Sequence, residues 1–302
     1  MTPVSAVKGP LLPAWAPRVV RQEFPSGAVI WKYKNKDGSL GKRIEYQSVT
    51  KIIGVMDKPA LVLWAADCAA LHAKNLAIEL IKAKGELTTE FAERIYNEAK
   101  SAHRNISKEA KDIGTEAHEA AQLILQGHEP AVISDRARPA VESFRMWLHK
   151  RKVKLVYLAD GTPANEVPLV NTWKTDNDVQ EGYYGIADGI LEDEEGLFIA
   201  EYKTSKDKRK PGKDGNLDEE ESSVYPEAAW QGAALWGAAK ADIGIEIKRV
   251  KVLWFNKFEP EFGAFDVLGL PARYKAFLKM KELRDEQEQI HFKKSDRFRI
   301  NL

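Results

Sequence analysis

Apolar residues recur at helical spacing through most of the first half of the chain. The clearest case is 57–85, "DKPALVLWAADCAALHAKNLAIELIKAKG", where Pro59 suits a first helical turn and Gly85 a stop. A sustained apolar stripe runs between these two residues. The same spacing predicts further helices at 89–104, 107–126 and 134–150.

A shorter pattern precedes these helices. Residues 28–50 read as two short strands around an Asp37-Gly38 turn. The strands lead into "SVTKIIGVM", where Ser48 or Thr50 can cap a helix. We therefore expect a small hairpin before the helical region.

The second half of the chain changes to short apolar runs typical of strands. A charged segment at 207–223 contains glycine and proline, so we expect an exposed loop there. The order of elements predicts an α/β fold with a mixed central sheet flanked by helices. The predicted strands are 153–159, 165–172, 183–191, 197–204, 248–256 and 262–268, with helices at 225–240 and 271–289.

Composition excludes several classes of protein. The formal net charge is +1, so any basic surface must be local. Cys68 is the single cysteine, which rules out an intramolecular disulfide, a four-cysteine zinc site and an iron–sulfur cluster held by cysteines. The first 22 residues contain four prolines and are expected to form an irregular arm. With one cysteine, an intracellular and cytoplasmic location is the expectation. We expect no membrane span, because no apolar run approaches the ~20 residues that a span needs.

Charged residues lie inside two of the predicted strands. The stretch 185–206, "GIADGILEDEEGLFIAEYKTSK", reads as a hairpin that contains Asp188, Glu201 and Lys203. If Glu192 pairs with Leu197, Asp188 lies opposite Glu201, with Cβ atoms about 5 Å apart. Two carboxylates at that distance repel by roughly 3 kcal/mol at an effective dielectric near 20. A divalent cation such as Mg²⁺ offsets this repulsion, and Lys203 would flank both the metal and a bound phosphate.

Structural explanations compete with a metal site. A shift of the hairpin by one residue would turn Asp188 away from Glu201, and Lys203 could simply pair with a carboxylate. Small side chains at Gly185, Ala187 and Gly189 also indicate a close approach to this strand. The approaching group is either a tightly packed helix or a nucleic-acid backbone.

These residues resemble a known family. "GIADGIL" followed by "IAEYKTSK" is similar to the core of the PD-(D/E)XK nucleases, in the RecB-type exonuclease branch. "GTEAHEAAQLIL", "NEVPLV" and "YPEAAWQGAALW" resemble that branch's histidine helix, glutamate strand and glutamine helix, in the same order. The similarity runs from about residue 48 to about residue 256. It implies a restriction-endonuclease-like sheet and a largely helical N-terminal half.

The resemblance also implies an activity and a site. The activity is Mg²⁺- or Mn²⁺-dependent hydrolysis of phosphodiester bonds, with no iron–sulfur cluster, at ends of single-stranded DNA. The expected domains are an arm and hairpin at 1–47, a DNA-guiding helical region at 48–150 and a nuclease core at 151–302. The metal would be held by His118, Asp188, Glu201 and the Tyr202 carbonyl, with Lys203, Gln231 and Glu166 as further catalytic residues.

His118 and Gln231 also have ordinary structural interpretations. His118 lies at the edge of an apolar stripe, where a half-buried structural histidine is common. Gln231 lies on an alanine-rich helix and could be a buried, satisfied amide. Relatives usually carry a tyrosine four residues after this glutamine, whereas this chain has Leu235, and Tyr225 is a possible substitute.

Two alternative functions remain open from the sequence. One is a structure-specific or restriction-type endonuclease with the same metal core, and the other is an inactive nucleic-acid-binding module. Cations and aromatic rings on the helical region are candidate DNA contacts. They are Lys74, Lys100, His103, Arg104, Lys108 and Lys111, with Trp64 and Tyr96 as stacking surfaces. The basic, aromatic tail at 291–302 fits single-strand binding or a docked strand equally well.

Overall fold

A computed structural model describes most of the chain. It covers residues 8–11, 19–23, 29–34, 39–56, 59–84, 88–158, 161–174, 180–206, 224–242 and 247–292. Short strands and four helices occupy the first half of this part. They are β1 (Lys8–Leu11), β2 (Val19–Glu23), β3 (Val29–Lys34), β4 (Leu40–Arg43), β5 (Gln47–Ser48), α1 (Val49–Ile53), α2 (Pro59–Lys84), α3 (Thr89–Leu125) and α4 (Arg138–Arg151).

The second half supplies most of the main sheet and two more helices. These elements are β6 (Lys154–Tyr157), β7 (Asn165–Lys174), β8 (Gln180–Asp193), β9 (Gly196–Ser205), α5 (Pro226–Asp242), β10 (Arg249–Asn256), β11 (Phe262–Asp266) and α6 (Leu270–Phe292). The main sheet has the order β1-β6-β8-β9-β10-β11, with β5 and β7 also paired to β8. Strands β2, β3 and β4 form a separate antiparallel sheet.

The main sheet mixes strand directions. Strand β8 pairs antiparallel with β6, β7 and β9, whereas β9 and β10 are parallel. The predicted hairpin pairing of Glu192 with Leu197 is confirmed. Asp193 also pairs with Gly196, so a turn of two residues replaces the expected four-residue loop. The fold is therefore α/β with a mixed sheet flanked by helices.

Two apolar clusters cover opposite faces of the sheet. One joins α1, α5 and α6 to side chains such as Leu169, Ala187 and Ile199. The other joins the end of α3 and all of α4 to Leu191, Phe198 and their neighbours. We call these the α5 face and the α3 face. Burial on both sides explains the nearly continuous apolar runs of β9 and β10.

The chain divides into two compact units. One contains residues 1–55 and 117–302, and the other contains 56–116. The first unit thus includes α1 and the last turns of α3 together with the sheet. These limits differ from the boundaries at 47/48 and 150/151 expected from the sequence. The second unit is helical, with α2 and most of α3.

Two expectations about local structure were wrong. Helix α3 is continuous for 37 residues, although two helices were expected at 89–104 and 107–126. Asn105 and Ser107 are poor helix formers, but residues 104–107, where the break was expected, include neither glycine nor proline to end the helix. The N-terminal arm is not wholly irregular, because β1 and β2 lie within it or extend from it. Strand β1 contains Pro10, which is compatible with its place at the sheet edge.

Part of α2 is more apolar than the sequence reading allowed. The stretch Leu61–Ala83 is long and apolar enough to cross a membrane by length and composition, with a mean hydropathy of 1.2. The expectation that no apolar run approaches this length was therefore wrong. A single helix of marginal hydropathy is weak evidence for a membrane span. The expected Asp37-Gly38 turn, the 207–223 loop and the tail beyond residue 292 lie outside the described residues.

Candidate metal centre

The site is built at one rung of the sheet, on β7 and β8. The β7–β8 ladder pairs Asn165 with Gly189 and Val167 with Ala187, which leaves Glu166 directly opposite Asp188. Opposed residues of neighbouring strands lie close enough for their side chains to interact. The two carboxylates therefore meet across one strand pair.

The alternation of side chains breaks at this rung in both strands. Ala187 and Ile190 both belong to the α5 face, although they are three residues apart. Ala164 and Val167 on the other strand behave in the same way. Glu166 has a φ of 50°, in the left-handed region that non-glycine residues seldom adopt. A strained residue of this kind is a common feature of functional sites.

Three side chains from three elements converge here. His118 on α3, Glu166 on β7 and Asp188 on β8 each place a ligand atom within 4.8 Å of the other two. The Nδ1 atom of His118 lies 3.6 Å from Oδ1 of Asp188. The other oxygen of Asp188 accepts the backbone N–H of Tyr202 at 2.5 Å. That bond fixes the Asp188 carboxylate and links β8 to β9 just beyond the last ladder pair.

The attraction of neighbouring charged groups shifts the pKa values of His118 and Asp188 more than burial does. Burial lowers the pKa of His118, but Asp188 and Glu201 raise it more, so the net pKa lies above its ordinary value. Burial raises the pKa of Asp188, yet His118 and Lys203 hold it below its ordinary value. The aspartate is therefore ionised at neutral pH, as a metal ligand must be.

A second group of charges lies on β9 and α5. The Lys203 ammonium donates to Oε1 of Glu201 and, at 3.2 Å, to Oε1 of Gln231. Glu201 is only 1 % exposed, and its Oε2 atom is buried with no hydrogen-bond partner among the described residues. Burial raises the pKa of Glu201 to about 7, against the opposing pull of Lys203. Burial lowers the Lys203 pKa, but Glu201 and Asp188 outweigh it and raise the value overall.

The donor set fits a divalent cation. An imidazole nitrogen and carboxylate oxygens are ligands accepted by Mn²⁺, and carboxylates are those preferred by Mg²⁺. The buried Oε2 atom of Glu201 has no hydrogen-bond partner among the described residues, which is costly even though Lys203 donates to Oε1. A cation placed beside Asp188 would offset that cost.

The structure brings together most of the residues that the sequence singled out. Glu166, expected as a further catalytic residue, lies inside the group that could hold a metal. Glu201 lies outside that group among the described residues, next to Lys203. Tyr202 contributes its N–H to Asp188, while its buried hydroxyl lacks a partner within the described chain.

Sequence reasoning missed the residues that support Glu166. The Nε2 atom of Gln122 donates to Glu166 at 3.0 Å. Asn165, in turn, donates from Nδ2 to the Gln122 carbonyl at 3.5 Å. Gln122 lies four residues after His118 on α3, so the two share a helix face. The four-residue spacing between His118 and Gln122 was the sequence feature that could have indicated a role for Gln122.

The small residues of β8 have a structural explanation. A Cβ atom on Gly185 would lie 2.7 Å from Leu235 and 2.9 Å from Val49, both buried. Helices α5 and α1 therefore occupy the space that the sequence left open for a helix or a nucleic-acid backbone. Leu235 belongs to the core, so it makes no contribution to a surface site. Tyr225, its possible substitute, is 57 % exposed.

The candidate DNA contacts lie on the surface of the helical unit. Lys74, Lys100, Arg104, Lys108 and Lys111 are exposed, and His103 is half-buried. The Lys100 ammonium sits 5.8 Å from the centre of the exposed Tyr96 ring. These positions leave the cations accessible to a polyanion.

Comparisons with known proteins assign no family. No protein-family model and no curated protein matches the chain. Among solved structures, that of SSO0001 matches over 80 % of this chain and 78 % of its own, with 11 % identity and a TM-score of 0.34. That TM-score is too low to assign a shared fold or function.

Proposed function

We propose that the chain is a PD-(D/E)XK nuclease of the RecB-type branch, with a restriction-endonuclease-like sheet. It hydrolyses phosphodiester bonds in a divalent-metal-dependent manner, most readily at free ends of single-stranded DNA. One observation carries the proposal: His118, Glu166 and Asp188 converge within 4.8 Å, beside the Glu201–Lys203 pair. Four separate sequence motifs thus meet in one place.

The metal would be held by the three converging side chains, with Glu201 as the next carboxylate. Mg²⁺ or Mn²⁺ bound there supplies positive charge that polarises a phosphodiester and activates water for attack. Asp188 is oriented for this task by the Tyr202 N–H, and Glu166 by Gln122. Fixed ligands reduce the reorganisation needed on binding.

In this proposal Lys203 acts as a positively charged group that stabilises negative charge. Its raised pKa keeps the ammonium protonated at neutral pH, so it does not serve as a general base. Gln231 and Glu201 hold it in place, and its side chain remains 34 % exposed. The ammonium is therefore positioned to stabilise charge that develops on a phosphate.

The proposed binding partner is DNA, and the proposed location of the protein is the cytoplasm. The exposed cations of α3, which are Lys100, Arg104, Lys108 and Lys111, together with Tyr96, provide phosphate contacts and a stacking surface. These groups would hold the strand without reading its sequence. Affinity for single-stranded DNA should therefore fall steeply with salt.

Cleavage of end-labelled DNA tests the function. Linear single strands, duplexes and a circular single strand are each incubated with Mg²⁺, Mn²⁺ or a chelator, and each terminus is tested both free and blocked. The proposal expects metal-dependent loss of linear single strands and survival of the circle. Cutting of the circle would indicate an endonuclease, and binding without cleavage would indicate an inactive module.

Lys203→Ala tests the assigned site. We expect loss of cleavage, while binding of a labelled single strand in the presence of metal is retained. Lys206→Ala is the matched control, because Lys206 is exposed and follows the same strand. Unchanged turnover in Lys203→Ala would contradict the role given to this ammonium.

A further inference from the structure

The outer face of α2 carries a seven-residue repeat. Trp64, Leu71 and Ile78 recur at intervals of seven, and Asp67, Lys74 and Ile81 follow each of them by three. This is the a and d spacing of a coiled-coil seam. All six side chains are exposed, with Leu71 at 58 % and Ile81 at 47 %.

The opposite face of α2 is already used within the chain. Leu76 and Leu80 are buried, and Nε2 of His72 lies 3.4 Å from a Glu98 oxygen on α3. The seam is therefore distinct from the surface that faces α3. Exposed apolar side chains at regular spacing indicate a binding surface.

We propose that this seam pairs with the same seam of a second copy, as two antiparallel helices. In that arrangement each residue at an a position packs beside a residue at a d position of the other copy. Trp64 then lies level with Ile81 of the second copy, and Leu71 lies level with its Lys74. The pairing is symmetric, so every contact occurs twice.

Charge selects the antiparallel direction. Two parallel helices would place Asp67 against Asp67 and Lys74 against Lys74, and like charges directly opposed are unfavourable. The antiparallel register instead puts each Lys74 one layer from Asp67 of the other copy. Neither side chain forms an ion pair within the described chain, so both are available.

The same two charges disfavour a lipid partner. Asp67 and Lys74 lie in the middle of the stripe Leu61–Ala83. Charged side chains at the centre of a bilayer are strongly unfavourable, whereas an antiparallel pair neutralises them reciprocally. A second copy thus satisfies both the apolar and the charged positions of the seam.

Analytical ultracentrifugation of the full chain, with metal chelated, tests the proposal independently of any nuclease activity. We expect a concentration-dependent dimer for the wild-type chain. Asp67→Lys and Lys74→Asp should each weaken dimerisation at least about tenfold, and the double variant should restore it. Glu79→Lys is the matched control, since it makes the same charge change at an exposed residue outside the seam.

Several outcomes would overturn the proposal. They are a monomer at the highest attainable concentration, a dimer that Ile78→Asp leaves intact, and failure of the double variant to recover. Circular dichroism of each variant separates loss of the seam from loss of the fold. Sedimentation of a monomeric chain with phosphatidylglycerol vesicles would assign the face to lipid instead.

Discussion

Glu201→Gln should make the metal-free protein more stable at alkaline pH. The Glu201 side chain is almost fully buried, and its pKa is raised from 4.5 to about 7. Between these two pH values the folded state holds a proton that the unfolded state releases, so stability falls as pH rises through this window. Above pH 7 the ionised carboxylate costs about 3 kcal/mol of folding free energy.

The glutamine removes that cost but leaves Lys203 without its carboxylate. The raised pKa of Glu201 already includes the attraction of Lys203, so the lost pair adds no separate cost. The expected net gain is therefore about 3 kcal/mol at pH 8, and about 1 kcal/mol or less at pH 5. Urea unfolding followed by tryptophan fluorescence in a chelator measures both values.

Glu192→Gln provides a matched control on the same hairpin, and we expect a change within about 0.5 kcal/mol. The reasoning fails if Glu201→Gln is no more stable than the wild type at pH 8, or if the gain is equal at both pH values. Saturating Mn²⁺ should remove most of this difference at pH 8, because a ligand at a hundred times its dissociation constant adds about 2.7 kcal/mol to the state that binds it.

Three further predictions concern the site and its surroundings. Asp188→Asn should abolish the rise in melting temperature that Mn²⁺ gives the wild type, as measured by differential scanning fluorimetry; an equal rise would exclude Asp188 as a ligand. Gly185→Ala should lower the free energy of unfolding by about 1 to 3 kcal/mol, because its Cβ would overlap buried side chains, whereas Gly189→Ala, with its nearest contact at 3.4 Å, should change it little. Burial raises the pKa of Asp193, but Arg249 outweighs burial and lowers the pKa overall. The Asp193–Arg249 pair therefore stabilises the fold above the unfolded pKa of the aspartate, and this stabilisation is lost as pH falls below about 4. Arg249→Met should lower the free energy of unfolding by about 1 kcal/mol at pH 7 and by less at pH 3, as measured by urea unfolding.

The sequence predicted the strands of the second half and the register of one hairpin because their signals are local. Glu192 and Leu197 flank an acidic turn between two apolar runs, and such a pattern allows few pairings. Helix number was less predictable, since Asn105 and Ser107 disfavour a helix only weakly.

The convergence of side chains at the candidate metal site was only partly predictable. Asp188 and Glu201 were recognised from the hairpin, and His118 from its helix. Glu166 was named from the family resemblance, but its left-handed backbone conformation was not predicted, because that conformation depends on the strand opposite rather than on neighbours in the chain. The group that packs against Gly185 could not be predicted for a similar reason, since only the packed structure shows that Leu235 fills the space beside it.

The rung that carries Glu166 and Asp188 is an insertion of one residue in each of two paired strands. Without both residues, Ala164 and Val167 would alternate normally on one strand, and so would Ala187 and Ile190 on the other. The pairing of every other rung would stay the same. The two candidate carboxylate ligands thus occupy a local addition to the ladder, and the residue pairs on either side of it keep their register and their faces.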